Sequence, residues 1–454
     1  MKILFCCSVD HRSHSNCCPL LICLYSVLSI AASQYNVCII PFGGGTTVSE
    51  AVLCPKGEKR MIVSLDTKRM NRIKWVDRGS LLACIETGIV GIELEERLGA
   101  MGLTMGHEPD SHEFSTLGGW IATRASGMKK NVYGNIEDLL VHCRVVTPSG
   151  TLEKGSYGPR VSTGPDVNEM ILGSEGIFGV ITEATVKVRP LPQVRDYGSV
   201  VFPSFENGVA FMRDLAHAGC YPASVRLVDN TQFQFGQALS PPHDTQFAAF
   251  IAKVKKYYIT KWHKFSVDEM TAATLLFEGD AATVAAQQAT VYRIAVRHGG
   301  VKAGAENGRR GYFLTWMIAY LRDFGLKMHL IGESFETSVP WPNVLDLCTN
   351  VKAKIEQSCA EKGIAYRPWV SCRVTQIYHT GACVYFYFGF TSRGLADPVK
   401  TFEEIESEAR DEVLRNGGSL SHHHGIGKLR KKWLPEVISD TGLLNRTLFS
   451  VSYY

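Results

Sequence analysis

Val37-Cys38-Ile39-Ile40-Pro41-Phe42-Gly43-Gly44-Gly45-Thr46-Thr47-Val48 is the stretch on which the reading of this chain turns. An apolar, strand-like run ends in three consecutive glycines. Without a Cβ, glycine lets the backbone turn sharply and bring several N–H groups to one point. Such a nest of amide donors binds a diphosphate. An ordinary turn has the same composition, so the segment decides nothing alone. Its weight comes from three segments downstream that supply the other parts of a nucleotide cradle.

The second segment is His107-Glu108-Pro109-Asp110-Ser111-His112-Glu113-Phe114-Ser115-Thr116-Leu117-Gly118-Gly119-Trp120. It mixes hydroxyls with amide donors and offers Ser115 or Thr116 as a helix N-cap, the kind of donor set a phosphate needs. The third, Thr123-Arg124-Ala125-Ser126-Gly127, adds hydroxyls and a guanidinium that would finish an anion site. The fourth is Gly173-Ser174-Glu175-Gly176-Ile177-Phe178-Gly179-Val180-Ile181. Its glycines let backbone pass close to a flat ring, and the strand after them would hydrogen-bond the ring edge. A capped turn, a surface loop and a Gly-rich hairpin explain these segments one by one. Four in this order favour a nucleotide cofactor.

The chain has 454 residues, 45% hydrophobic and 20% charged, with a net charge of +4. That balance suits two or three globular domains with large cores. The basic stretches Lys253–Lys256 and Gly427–Lys432 are short. Each is expected on a solvated helix face, with an anionic substrate or a membrane surface as the alternative. Nothing resembles a nucleic-acid module. Of 14 cysteines, five fall in the first 23 residues and none forms a CxxC pair, so the thiols are expected to be reduced and mostly buried. Cys17–Ala32 is apolar and of signal-peptide length, with Ala31-Ala32-Ser33 as a cleavage site. The preferred reading is an atypical start, because the cradle pattern begins abruptly near Tyr35.

Short strand-like runs alternate with Gly-rich turns from Asn36 to Pro190, with a helix expected over Gly91–Leu98. From Gly198 a second pattern begins. Strands are expected at Ser199–Phe202, Arg226–Val228, Thr274–Phe277 and Val384–Phe390. Helices are expected over Phe205–His217, Ala281–His298 and Pro342–Lys362, the last with its proline at the first helical position. The expected class is α+β: a two-part nucleotide-binding domain at 35–192 and an α/β substrate-covering domain at 193–415. Residues 1–34 form an atypical N-terminal segment. Residues 416–454 return to the cofactor.

His422-His423-His424 stands beside Gly425. An exposed loop, a metal-binding tract and an acid–base cluster all fit three histidines, and alternation lets at most two reach one site. Tyr385 lies in an aromatic strand with Tyr387 on the same face. For Arg226 and Arg322 the bland reading is a surface ion pair, for example Arg322 with Asp323.

The order of the four segments resembles the FAD-binding domain of the vanillyl-alcohol-oxidase-type flavoproteins. Longer words resemble the ether-lipid-forming branch of that family, the alkyldihydroxyacetonephosphate synthases. These are Gly106-His-Glu-Pro-Asp110, Thr123–Asp138, Gly332-Glu-Ser-Phe-Glu-Thr337 and Gly417–Gly425, and the likeness runs from about Tyr35 to about Gly442. The resemblance implies FAD as cofactor, no metal, and exchange of the acyl group of acyl-dihydroxyacetone phosphate for a fatty alcohol without net redox. It also implies that the flavin holds the dihydroxyacetone-phosphate carbon while carboxylate leaves and alcohol enters. Tyr385 then moves the proton with His422, His423 and His424, Arg226 sits near the flavin, and Arg322 binds the phosphate. The family further implies a peroxisomal, membrane-associated homodimer, although no peroxisomal address is visible. A flavin oxidoreductase acting on 2-hydroxy acids shares the scaffold. An inactive homologue is the third reading, since both ends depart from the family pattern.

Overall fold

The computed structural model describes residues 28–239, 254 and 257–438, with backbone alone at 315–321. The lysines of Lys253–Lys256, the apolar run before Leu28 and the closing residues from 439 lie outside them. The chain forms two compact units. One comprises Met1–Lys129, Tyr133–Leu191 and His423–Tyr454; the other comprises Lys130–Val132 and Pro192–His422.

In the first unit β1 (Cys38–Phe42) runs parallel to β2 (Ile62–Asp66). Next along the chain come β3 (Ile73–Asp77), β4 (Leu82–Glu86), β5 (Leu103–Thr104), β6 (Leu140–Thr147), β7 (Gly150–Leu152), β8 (Val180–Lys187) and β9 (Arg189–Pro190). A five-stranded antiparallel sheet has the order β3-β4-β8-β6-β7, and β5 pairs with β9. The expected helix is Gly91–Ala100. Leu94 and Leu98, one turn apart, are fully buried with Ile85, Val145, Ala184 and Val186 of the sheet. Each such side chain contributes roughly 1.5–3 kcal/mol by leaving water.

The second unit contains β10 (Val194–Phe202), β11 (Ser224–Val228), β12 (Thr271–Gly279), β13 (Val301–Lys302), β14 (Leu330–Pro340), β15 (Trp369–Ile377) and β16 (Gly381–Thr391). They form one seven-stranded sheet, β13-β10-β12-β11-β15-β16-β14, with every pair antiparallel. Side chains alternate between faces along a strand. Val225, Leu227, Val374, Val384, Phe386 and Phe388 share a buried apolar core with the helices Phe205–His217, Val344–Glu361 and Pro398–Arg415. Ser224, Arg226, Ser371, Arg373, Tyr385 and Tyr387 occupy the alternate positions and are buried as well. One face of this sheet is therefore hydrocarbon and the other is polar and aromatic.

The helix at Phe205–His217 matches its expected span, because Ser204 Oγ accepts the Asn207 N–H at 3.2 Å and fixes its start. Pro342 departs from expectation: it lies in a 3-10 turn, Trp341–Asn343, and the helix begins at Val344. β14, β15 and the helix Ala305–Lys327 have no counterpart in the sequence reading. Nine cysteines among the described residues are free, six of them buried. Among the described residues no helix is long and apolar enough to cross a membrane.

Candidate active site

The glycine loop lies against the second cradle segment. A Cβ on Gly43 would fall 2.3 Å from Thr116 Oγ1, and one on Gly44 would fall 2.1 Å from the Phe114 carbonyl oxygen. Gly45 has φ +71°, and its Cβ would meet the Phe42 ring at 2.7 Å. Only glycine fits this approach. Thr116, rather than Ser115, is the N-cap of the helix Leu117–Thr123, accepting the Gly119 N–H at 3.3 Å. Ser115 Oγ accepts from Trp120 Nε1 at 2.8 Å. The fourth segment reaches the first, since a Cβ on Gly176 would lie 3.3 Å from Pro41 Cγ. Thr47 Oγ1 sits 3.0 Å from Ser49 Oγ.

Other predicted residues are otherwise engaged. Arg124 is half exposed and faces Glu137 and Glu169 at 3.7 and 3.4 Å, so carboxylates already surround its charge. Thr123 Oγ1 donates to the Gly119 carbonyl. His112 is buried and stacks on Trp120 with ring centroids 5.8 Å apart. Asp110 and Phe114 are exposed. The Ile181 carbonyl accepts from Thr87 Oγ1 at 2.6 Å inside the sheet. Glu175, at φ 51°, holds the returning segment: its carboxylate accepts from Ser49 Oγ and from the N–H groups of Ile426 and Gly427, at 3.1, 3.2 and 2.9 Å. Lys428 belongs to no solvated helix. Its ammonium donates to the carbonyls of Glu50, Ala51 and Leu53 at 2.8–3.0 Å. The Gly427–Lys432 stretch thus fastens the returning chain to the segment after the glycine loop.

His107 opens the second cradle segment but was given no role of its own in the predicted site. It is 1% exposed, edge-on to Trp120 at 5.1 Å, and neither ring nitrogen has a partner among the described residues. Burial first, then the nearby His112 and His423, push its pKa down to about 3 from 6.5. The folded value lies below the unfolded one. Its contribution to stability is therefore full above pH 6.5 and is lost as pH falls toward 3. Between pH 7.5 and pH 5 the loss is on the order of 2 kcal/mol. Thermal melts should show that drop in the wild type and a flatter profile in His107→Leu. An unchanged profile in the variant would remove this account.

The second unit holds Tyr385, Arg226, Arg322 and His422. Tyr385 is 4% exposed and stacks on Tyr387 with centroids 5.9 Å apart, so the two do share a face. In register it stands opposite Arg373 on β15 and Glu336 on β14. Glu336 accepts from Ser421 Oγ at 2.7 Å and from the His422 N–H. His422 Nε2 is 2.6 Å from Tyr378 Oη, a partner absent from the sequence reading. Arg226 is buried, with its guanidinium 5.7 Å from the Tyr312 ring, which overturns the surface ion pair for that residue. For Arg322 the ion pair holds: its side chain is 40% exposed, 2.9 Å from Glu333 and 3.5 Å from Asp323. His423 and His424 belong to the first unit, with ring centroids 4.7 Å apart.

The cradle and the unpartnered His107 nitrogens fit a bound nucleotide. Residues 27–156 match a family model described as FAD binding domain, and residues 191–444 match FAD linked oxidases, C-terminal domain. Alkyldihydroxyacetonephosphate synthase of Caenorhabditis elegans is 51% identical over 89% of this chain and 68% of its own length. The Dictyostelium discoideum enzyme of that name is 36% identical over 89% of this chain and 65% of its own. The chain belongs to the alkyldihydroxyacetonephosphate synthase family. A solved structure of alkyldihydroxyacetonephosphate synthase superposes with a TM-score of 0.78 at 33% identity, covering 91% of this chain and 72% of that one. The chain spans about two thirds of the length of these curated relatives. FAD is the cofactor that the family domains bind. The glycine loop, Thr116 and His107 are the residues that fit it.

Proposed function

We propose that the protein exchanges the acyl group of acyl-dihydroxyacetone phosphate for a long-chain fatty alcohol. The C–O bond to the acyl carboxylate breaks, a C–O bond to the alcohol forms, and the alcohol proton passes to a base. When bound, FAD supplies an electrophilic ring for this substitution without net electron transfer. The carrying observation is a phenol, Tyr385, buried beside a guanidinium on the polar face of the second sheet. Tyr385 exchanges the proton, a phenol oxygen being able to give one and take one. His422, His423 and His424 relay it, imidazole being the side chain that titrates near neutrality. Tyr378 holds the His422 ring in place through the 2.6 Å contact. Arg226 adds a buried positive charge for the flavin.

The protein is expected to incorporate labelled hexadecanol into the ether product with release of one fatty acid per turnover. Supplying lactate or glycolate anaerobically should leave the yellow absorbance intact. Bleaching by the hydroxy acid with no ether product would establish the oxidoreductase reading instead, and a purified chain without flavin would favour the inactive one. The same proposal places the protein at the peroxisomal membrane as a homodimer. Monomeric protein that stays soluble on cell fractionation would contradict that part.

A further inference from the structure

A histidine that relays a proton must present one particular nitrogen as the base. His422, in the second unit, is held both at its backbone and at its ring. Its N–H donates to the Glu336 carboxylate, which also accepts from Ser421 Oγ at 2.7 Å. Arg410 Nη1 donates to the Leu420 carbonyl at 2.9 Å, and the Ser419 N–H donates to the Ser338 carbonyl at 2.8 Å. The segment leading to His422 is thus fastened along β14, and the imidazole meets Tyr378 Oη at 2.6 Å.

Tyr378 stands in the turn after β15. Its N–H donates to the Gly381 carbonyl at 2.8 Å, and its carbonyl accepts from Trp341 Nε1 at 3.0 Å. Lys130 grips the side chain. Its ammonium lies 3.6 Å from the centroid of the Tyr378 ring and donates to the Ile377 carbonyl at 2.7 Å. A cation over the face fixes the ring plane and leaves the phenol oxygen, which lies in that plane, to its own partners. Two of those are His422 Nε2 and, at 3.1 Å, Gln376 Oε1. Gln376 reaches the phenol because β15 carries a bulge. Val374 pairs with Val384 and Gln376 pairs with Cys383, so two steps along β15 match one step along β16. Without the extra residue, Thr375, Gln376 would take the hydrocarbon face of Val374. The bulge turns it to the face of Cys383 and Tyr385, where it is buried.

We propose that Gln376, Tyr378 and Lys130 are positioning residues that fix the tautomer of His422, with its proton on Nε2 and its lone pair on Nδ1. A phenol has one proton to give. An amide oxygen can only accept, so the Tyr378 hydroxyl donates to Gln376 Oε1. The phenol oxygen must then accept at the 2.6 Å contact, and His422 Nε2 is the donor. A neutral imidazole protonated on Nε2 carries its basic lone pair on Nδ1. A proton passed along during exchange is therefore taken on Nδ1, while the Nε2 proton stays on its own nitrogen. The arrangement is that of a base oriented by a further group, with a neutral phenol as the orienting acceptor. It serves the exchange reaction proposed above and rests on that reading, naming which nitrogen of the relay is basic and what holds it.

The test uses the full-length, flavin-loaded protein with isotope-labelled histidine. Nitrogen NMR reads the tautomer without turnover, and the His422 signals are those missing from His422→Gln. At a pH where imidazole is neutral, the wild type should show a protonated Nε2 and an unprotonated Nδ1. Gln376→Leu lets the phenol proton turn toward His422, so the proton on the ring should move to Nδ1. Its kcat should fall roughly 100-fold, the low end of what a general base contributes, with KM for acyl-dihydroxyacetone phosphate held within about twofold. Gln376→Glu keeps an acceptor and should keep the tautomer. Tyr378→Phe leaves the ring under Lys130 but removes the lock, so both tautomers should be seen. Lys130→Met should lower kcat by about 10-fold, and Lys130→Arg, which keeps a cation on the ring, should recover most of it. In a Tyr378→Phe background Lys130→Met should cost nothing further, because it acts through the phenol. A wild-type ring protonated on Nδ1, an unchanged tautomer in both Gln376→Leu and Tyr378→Phe, or losses from Lys130→Met and Tyr378→Phe that multiply would overturn the proposal. Wild-type protein that holds the Nε2 proton yet forms no ether product would leave the lock standing and overturn the exchange reaction.

Discussion

Tyr385→Phe should lose exchange activity by about 100- to 10,000-fold while keeping its flavin, the range expected when a proton-transfer group is removed. The substitution deletes one oxygen and leaves the ring. Stacking on Tyr387 and the contact with the Arg373 guanidinium both survive, because they use the ring face. Stability should therefore change by about 1 kcal/mol or less. The two readouts are ether formation from labelled alcohol and flavin absorbance in the purified variant. Full activity with bound FAD would remove Tyr385 from the chemistry. Loss of both activity and flavin would show instead that the hydroxyl holds the fold.

The second large effect is on the cofactor. Gly44→Ala should leave the protein with less than about a tenth of the wild-type flavin, through steric exclusion at a glycine-only position. The new methyl carbon would stand 2.1 Å from the Phe114 carbonyl oxygen and 2.7 Å from its carbon. Both belong to the backbone, so no side chain can rotate aside to relieve the clash. The loop from Gly43 to Gly45 must move off the 114–116 segment, and its amides lose their common focus. The second unit has its own core and should keep its strand and helix signal in circular dichroism. The ratio of flavin to protein absorbance reads the result directly. A variant carrying a full complement of FAD would show that the nest is not the pyrophosphate site.

Much of the first unit was legible in the chain. The glycine loop, the Thr116 cap and the helix with Leu94 and Leu98 all depend on local rules: where a Cβ is excluded, where an amide needs a cap, where apolar residues recur each turn. The second unit was only partly legible. β15 reads Trp-Val-Ser-Cys-Arg-Val-Thr-Gln-Ile, with serine, arginine and threonine alternating with apolar residues. That pattern looks like a half-exposed strand, yet the whole strand beyond Trp369 is buried. Its polar face is enclosed by other parts of the fold, and nothing local announces an enclosed polar face. β14 was hidden the same way, since Glu336 looks like a solvent-facing charge and is 1% exposed.

Sequence alone determined what short range can settle: a loop that only glycine can form, the start of individual helices, and membership in a flavoprotein family through its longer words. Tertiary structure decided which charges are available. It spent Glu175 and Lys428 on anchoring the returning chain, left Arg322 and Arg124 among carboxylates, and brought Arg373 in line with Tyr385. The reason is physical. A side chain's charge, protonation and reach depend on burial and on partners far away in sequence, and those are fixed only when strands separated by long stretches of chain take their register.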